Sequence, residues 1–164
     1  MRLIRPSLVM IALLLLCGSA WAQEAKPQPD SAIEAQLKAL DYKFEIDKDG
    51  DYKLVFDMDE DGKRSQLVFV RSGVEDYLGH KVREVISPAY EGNEAGFPAN
   101  VANRLLAAST DSIMGAWGKQ GGLAIYTVRI PANADKDTLD AAINAAINSA
   151  DKMEAELTPG KDEF

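Results

Sequence analysis

The chain has 164 residues, 46 % hydrophobic and 27 % charged, with a formal charge of −8, one cysteine and one histidine. This length and apolar content suit one compact domain. The acidic balance, without a basic stripe, argues against a nucleic-acid partner and against anionic membrane surfaces.

The first residues read as an export signal. Arg2 and Arg5 form a basic start, and Leu8 to Leu16 is an unbroken apolar run. Ala20-Trp21-Ala22 then supplies the small-x-small pattern that signal peptidase reads, placing cleavage between Ala22 and Gln23. The apolar run is short for a bilayer span, so no stable membrane insertion is expected after cleavage. Cys17 lies inside the signal, and Leu16 before it is a poor match to a lipidation site. Removing the signal leaves a periplasmic or secreted chain with a charge of about −10 and no cysteine. Thiol chemistry and disulfides are thereby excluded from the mature protein.

Residues 23–30, with Pro27 and Pro29, form a flexible lead to a single domain over 31–158. Asp30 is a good helix cap, and Ile33, Leu37 and Leu40 recur at helical spacing. The period then changes to two: Tyr42, Phe44 and Ile46 make one strand, and Tyr52, Leu54 and Phe56 the next. Two turns, Asp47 to Asp51 and Asp57 to Lys63, and the strand Gln66 to Val70 complete an antiparallel meander. Val82 to Ser87 is a further strand, stopped by Pro88. Pro98 opens a helix with Val101, Leu105 and Ala108 on one face. Ile113 to Trp117 and Leu123 to Ile130 pair through Gly118, Gly121 and Gly122, ending at Pro131. Asp135 or Asp137 caps the last helix, whose Leu139, Ile143, Ile147, Ala150 and Leu157 share a stripe. It stops near Pro159-Gly160, and 159–164 form a tail. The order is α-β-β-β-(β)-α-β-β-α, an α+β domain with helices packed on a mostly antiparallel sheet.

Asn100-Val101-Ala102-Asn103-Arg104-Leu105-Leu106 resembles the YbjN-like family, often labelled sensory transduction regulators. Gly115-Ala116-Trp117, Tyr126-Thr127-Val128-Arg129-Ile130-Pro131 and Ala150-Asp151-Lys152-Met153-Glu154 extend the resemblance over Ser31 to Leu157. It implies a fold similar to type III secretion chaperones, a homodimer, a polypeptide partner and no catalytic activity. The export signal sets this chain apart from those chaperones, which act in the cytoplasm.

Few residues suggest chemistry of their own. Asp57-Met58-Asp59-Glu60-Asp61-Gly62 starts like a calcium loop, but the twelfth position, which should be a bidentate acid, is Val68. A polar hairpin turn explains the same residues, and weak divalent-cation binding through Asp57, Asp59 and Asp61 is the alternative function. Asp47 to Asp51 lies about 17 Å away at the other end of one strand, so one ion cannot bridge the turns. His80 has no partner nucleophile that spacing reveals. Asp140, Asp151, Glu154 and Glu156 read as a solvated helix face, and Trp117, beside glycines, packs in the core or lines a groove. The ending Lys161-Asp162-Glu163-Phe164 resembles a retrieval tail by coincidence only. The expected function is therefore an exported, non-catalytic binding domain, with no cofactor and no resident metal.

Overall fold

The computed structural model describes residues 28–93 and 95–164. The cleavage pair Ala22 and Gln23, and Cys17, lie outside the described residues. Among the described residues, three helices and seven strands follow in the order α1 (Ser31–Ala39), β1 (Glu45–Ile46), β2 (Tyr52–Asp57), β3 (Ser65–Val70), β4 (Glu75–Tyr77), β5 (His80–Glu91), α2 (Ala99–Thr110), β6 (Gly115–Gln120), β7 (Leu123–Pro131) and α3 (Lys136–Leu157). The sheet is antiparallel throughout, ordered β1-β2-β3-β5-β7-β6, with β4 paired to the outer end of β5. This is the expected α+β architecture with one short strand, β4, added.

The helices start where their caps dictate. The Asp30 carboxylate accepts the Ala32 N–H at 2.9 Å, and Asp135, rather than Asp137, accepts the Thr138 N–H at 2.8 Å. The meander follows from its turns. Gly50 and Gly62 take φ of 83° and 62°, values that favour glycine, at the two tight reversals flanking β2.

All three helices lie on one face of the sheet. Tyr52 and Leu54 of β2, Val68 and Val70 of β3, Val85 of β5 and Val128 of β7 meet Ile33, Leu37, Leu139, Ile143 and Ile147 from α1 and α3. A smaller cluster joins Ala89, Ala124, Val101, Leu105, Ala150 and Met153, which locks α2 and the end of α3 to the β5–β7 end of the same face. Burying such side chains stabilises the fold by about 1.5–3 kcal/mol each.

The strands differ from the sequence expectation in three places. Tyr42 and Phe44 precede β1 and are packing residues, edge-on to Phe56 and Tyr52 with ring centroids 5.1 and 5.2 Å apart. Pro88 does not stop its strand: β5 continues to Glu91 through a register shift between Pro88 and Tyr90. The Gln66 amide donates to the Pro88 carbonyl at 2.7 Å, and the Ser87 hydroxyl donates to the Leu67 carbonyl. Side chains thus replace ladder bonds where proline supplies no donor. Finally, β6 begins at Gly115 and includes Gly118, leaving Ile113 fully out in solvent.

One buried cation ties the ends of these elements together. Arg83 of β5 is 2 % exposed; its guanidinium donates to the Ser72 carbonyl at 3.0 Å, to the Arg71 carbonyl and to Asp30. Burial pushes the Asp30 carboxyl up, but the Ala32 N–H and Arg83 outweigh it and hold it below the usual range. Arg83 thus joins the α1 start to the β3–β4 loop, together with Ser72, whose hydroxyl accepts the Asp30 N–H at 3.2 Å.

Candidate binding face

The sheet's second face carries no helix among the described residues, yet it is apolar. Strand alternation sends every other residue there. The register lines up Phe69 with Ile86 and Ile86 with Thr127, then Val55 with Leu67 and Pro88 with Ile125. Leu123 closes the far end of β7. Of these, Val55 is 55 % exposed, whereas Ile86 is shielded by its neighbours in the sheet to 8 %.

A groove of about 490 Å³ runs over this face, floored by Phe69, Ile86, Pro88, Leu123 and Ile125. Its rim is charged. Asp47, Asp49 and Asp51 come from the β1–β2 turn, which stands at one end of the groove, and Arg71 and Gln120 face them. The Asp47 carboxylate shapes the turn by accepting the Asp49 and Asp51 N–H groups at 2.8 and 3.0 Å. Burial pushes the Asp51 carboxyl up, although it accepts the Ser72 N–H at 2.8 Å. Arg71 donates to Gln120 at 2.9 Å, and Glu84 accepts from Arg129 at 2.6 Å, so a charged row borders the apolar rows. Such a surface offers apolar contact beside a rim that carries both carboxylates and a guanidinium.

The other residues singled out from the sequence fall elsewhere. His80 opens β5 opposite Tyr77 and is exposed on a hairpin, with no nucleophile placed on it. In the Asp57 to Lys63 turn, the Asp59 carboxylate accepts the Lys63 N–H at 2.8 Å and Asp61 pairs with the Lys63 ammonium at 2.9 Å. These oxygens serve the hairpin, and among the described residues no group of three or more His, Cys, Asp or Glu side chains is placed to hold a metal ion. Trp117 does both things its sequence context suggested. It packs edge-on to Tyr126 at 5.3 Å, and it lines a second cleft of about 510 Å³ between α2, α3 and β6.

Of the four α3 acids expected on a solvated face, Glu156 is exposed, Asp140 and Asp151 are half-buried and Glu154 is buried, and all four have partners. The Asp140 carboxylate accepts from the Tyr42 hydroxyl, Asp151 pairs with Arg64 at 2.6 Å, and Glu156 takes a two-pronged bond from Arg104 at 2.6 and 2.7 Å. Glu154 is fully buried beneath the C-terminal segment, where it accepts the Glu163 N–H at 2.6 Å. Asp162 accepts the Ser65 N–H at 3.1 Å, so the tail is docked on the end of β3. Glu154 lies on the apolar stripe itself, one turn beyond Ala150, and the partners of Asp140, Asp151 and Glu156 lie far away in sequence.

The apolar second face was missed. Its signal is present in runs such as Leu67-Val68-Phe69-Val70 and Leu123-Ala124-Ile125-Tyr126, which are apolar at both parities and so predict two apolar faces.

No protein-family model matches this chain, and no curated protein matches it. Among solved structures it is similar to one described as "Structure of the HopA1-SchA Chaperone-Effector Complex". The identity is 11 % and the TM-score 0.47, covering 76 % of this chain and 91 % of that one, a likeness too distant to carry an argument about function.

Proposed function

We propose that the protein is an exported, non-catalytic binding domain of the YbjN-like type, which holds an extended polypeptide segment on the second face of its sheet. The observation that carries this reading is the apolar groove over β3, β5 and β7, rimmed by Asp47 and Asp49. An apolar strip beside carboxylates suits a segment that alternates apolar and basic residues, since the apolar side chains gain burial and the basic ones gain charge contacts. The acidity of the whole chain favours the same partner. Export rests on Arg2, Arg5, the apolar run and the Ala20-Trp21-Ala22 site. A homodimer completes the reading.

An array of immobilised peptides graded in apolar and basic content, probed with the purified chain from Gln23 onward, tests the reading. All described residues are kept in that chain. Apolar–basic peptides are expected to retain the protein, and Ile125→Asp is expected to abolish retention. Equal retention on acidic peptides, or retention unaffected by Ile125→Asp, overturns it. Export is tested on the full chain expressed in a bacterial host: the envelope fraction should contain a product whose mass begins at Gln23, and Ala22→Arg should leave the precursor uncut.

A further inference from the structure

A second apolar feature stands next to the groove and is left exposed among the described residues. The hairpin of β4 and β5 reverses through Leu78-Gly79, between the paired residues Tyr77 and His80. Both central residues take positive φ, 53° for Leu78 and 86° for Gly79. Such a turn favours Asn-Gly or Asp-Gly, because a leucine there is sterically strained. Leu78 is also 85 % exposed and Tyr77 73 %, with Val74 half out at the base. Leucine is thus wrong for this position both by backbone preference and by solvation, a combination expected where a side chain serves a contact outside its own fold.

The hairpin springs from near the rim of the groove itself, since Gly73 lines the groove and β4 begins two residues later, at Glu75. We infer that the hairpin tip of one copy seats in the groove of a second copy, so that two chains cap each other's binding face reciprocally. The inference rests on that face being the binding face. Shape supports it, because the tip is convex and apolar while the groove is concave and apolar. Charge supports it as well: Lys81 follows the tip and would meet Asp47 and Asp49, while Glu75 and Asp76 precede it and would meet Arg71. A two-fold axis near the shared rim satisfies both contacts at once, which gives a closed dimer rather than an open chain. A polypeptide segment and the second copy's hairpin then compete for one groove.

Light scattering coupled to size exclusion, over a range of protein concentrations, reads the outcome on the chain from Gln23 onward. The parent protein should form a dimer. Tyr77→Ser/Leu78→Asn, which suits the turn and removes both anchors, should weaken the dimer about thirtyfold or more. Ile125→Asp should do the same from the groove side. Asp49→Lys, an exposed position, serves where Ile125→Asp fails to fold by circular dichroism. Mixing the hairpin variant with the groove variant should restore a one-to-one dimer, because one intact hairpin then meets one intact groove. A parent protein that stays monomeric overturns the inference, as does a hairpin variant that dimerises like the parent. The peptide array separates the two readings. If the hairpin variant becomes monomeric yet keeps or gains peptide retention, both stand. If it dimerises unchanged while Ile125→Asp loses peptides, only the capping falls. If dimerisation depends on the hairpin but no peptide is retained, only the polypeptide reading falls.

Discussion

The two faces of the sheet use the same strands and similar residues but end in different states. On the helix side, Tyr52, Val68, Val70, Val85 and Val128 are each 0 % exposed, sealed by α1 and α3. On the other side, Leu67, Phe69 and Ile125 are half-buried and Val55 is 55 % exposed, because only neighbouring strands shield them. The contrast shows that apolar content alone does not make a core. A residue contributes its full transfer energy only when a second layer removes the last of its water, and the second face lacks that layer. Stability should therefore be more sensitive to the sealed face than to exposed positions such as Val55 on the other.

The largest effect is expected on the sealed side. Leu54 is 1 % exposed and sits in the main cluster, so Leu54→Ala removes buried methyl groups and leaves a cavity that α1 and α3 cannot close. A loss of about 3 kcal/mol is expected by urea unfolding. A loss below about 1 kcal/mol would mean that the helix layer is not close-packed on the sheet.

The next effect sharpens the comparison at the end of the sealed layer, where the C-terminal segment closes over α3. Burial pushes the Glu154 carboxyl up, and the Glu163 N–H only partly offsets this. A folded-state value above the unfolded one means that the fold prefers the protonated acid. Its contribution is full below the ordinary glutamate range and is lost as pH rises through the raised folded value. The stability of Glu154→Gln relative to the parent should therefore improve steadily as pH is taken from acid to neutral. A relative stability that stays flat across that interval would show that Glu154 titrates in the folded chain as it does in water.

Much of this layout can be read in the sequence, and the remainder is hidden for physical reasons. The turns at Gly50 and Gly62, the Asp30 and Asp135 caps and the apolar stripe of α3 are local, and local chemistry sets them. Arg64 and Asp151 meet across 87 positions, so no window of sequence announces their pairing. Pro88 reads as a strand terminator because a proline normally breaks the ladder; here the Ser87 hydroxyl donates to the Leu67 carbonyl and the Gln66 amide to the Pro88 carbonyl, contacts across strands that no local window shows. The candidate face is hidden in another way. The parity of Leu67, Phe69 and Ile125 reveals a second apolar face, but nothing local tells whether a helix will cover it.

The smallest expected effect is the sharpest test of the comparison. Val55 and Leu54 are adjacent in β2 and point to opposite faces, so strand propensity and position in the sheet are shared and only coverage differs. Val55→Thr keeps the β-branched shape and replaces one methyl with a hydroxyl that water can reach. Stability should change by no more than about 0.5 kcal/mol, as expected of a surface substitution. In a sealed core the same hydroxyl would cost about 1–3 kcal/mol, because it would lack a partner. A cost of that size at Val55 in the isolated chain, measured at concentrations where it is monomeric, would mean that this face is already covered. The groove would then be part of a core and not a place for a partner.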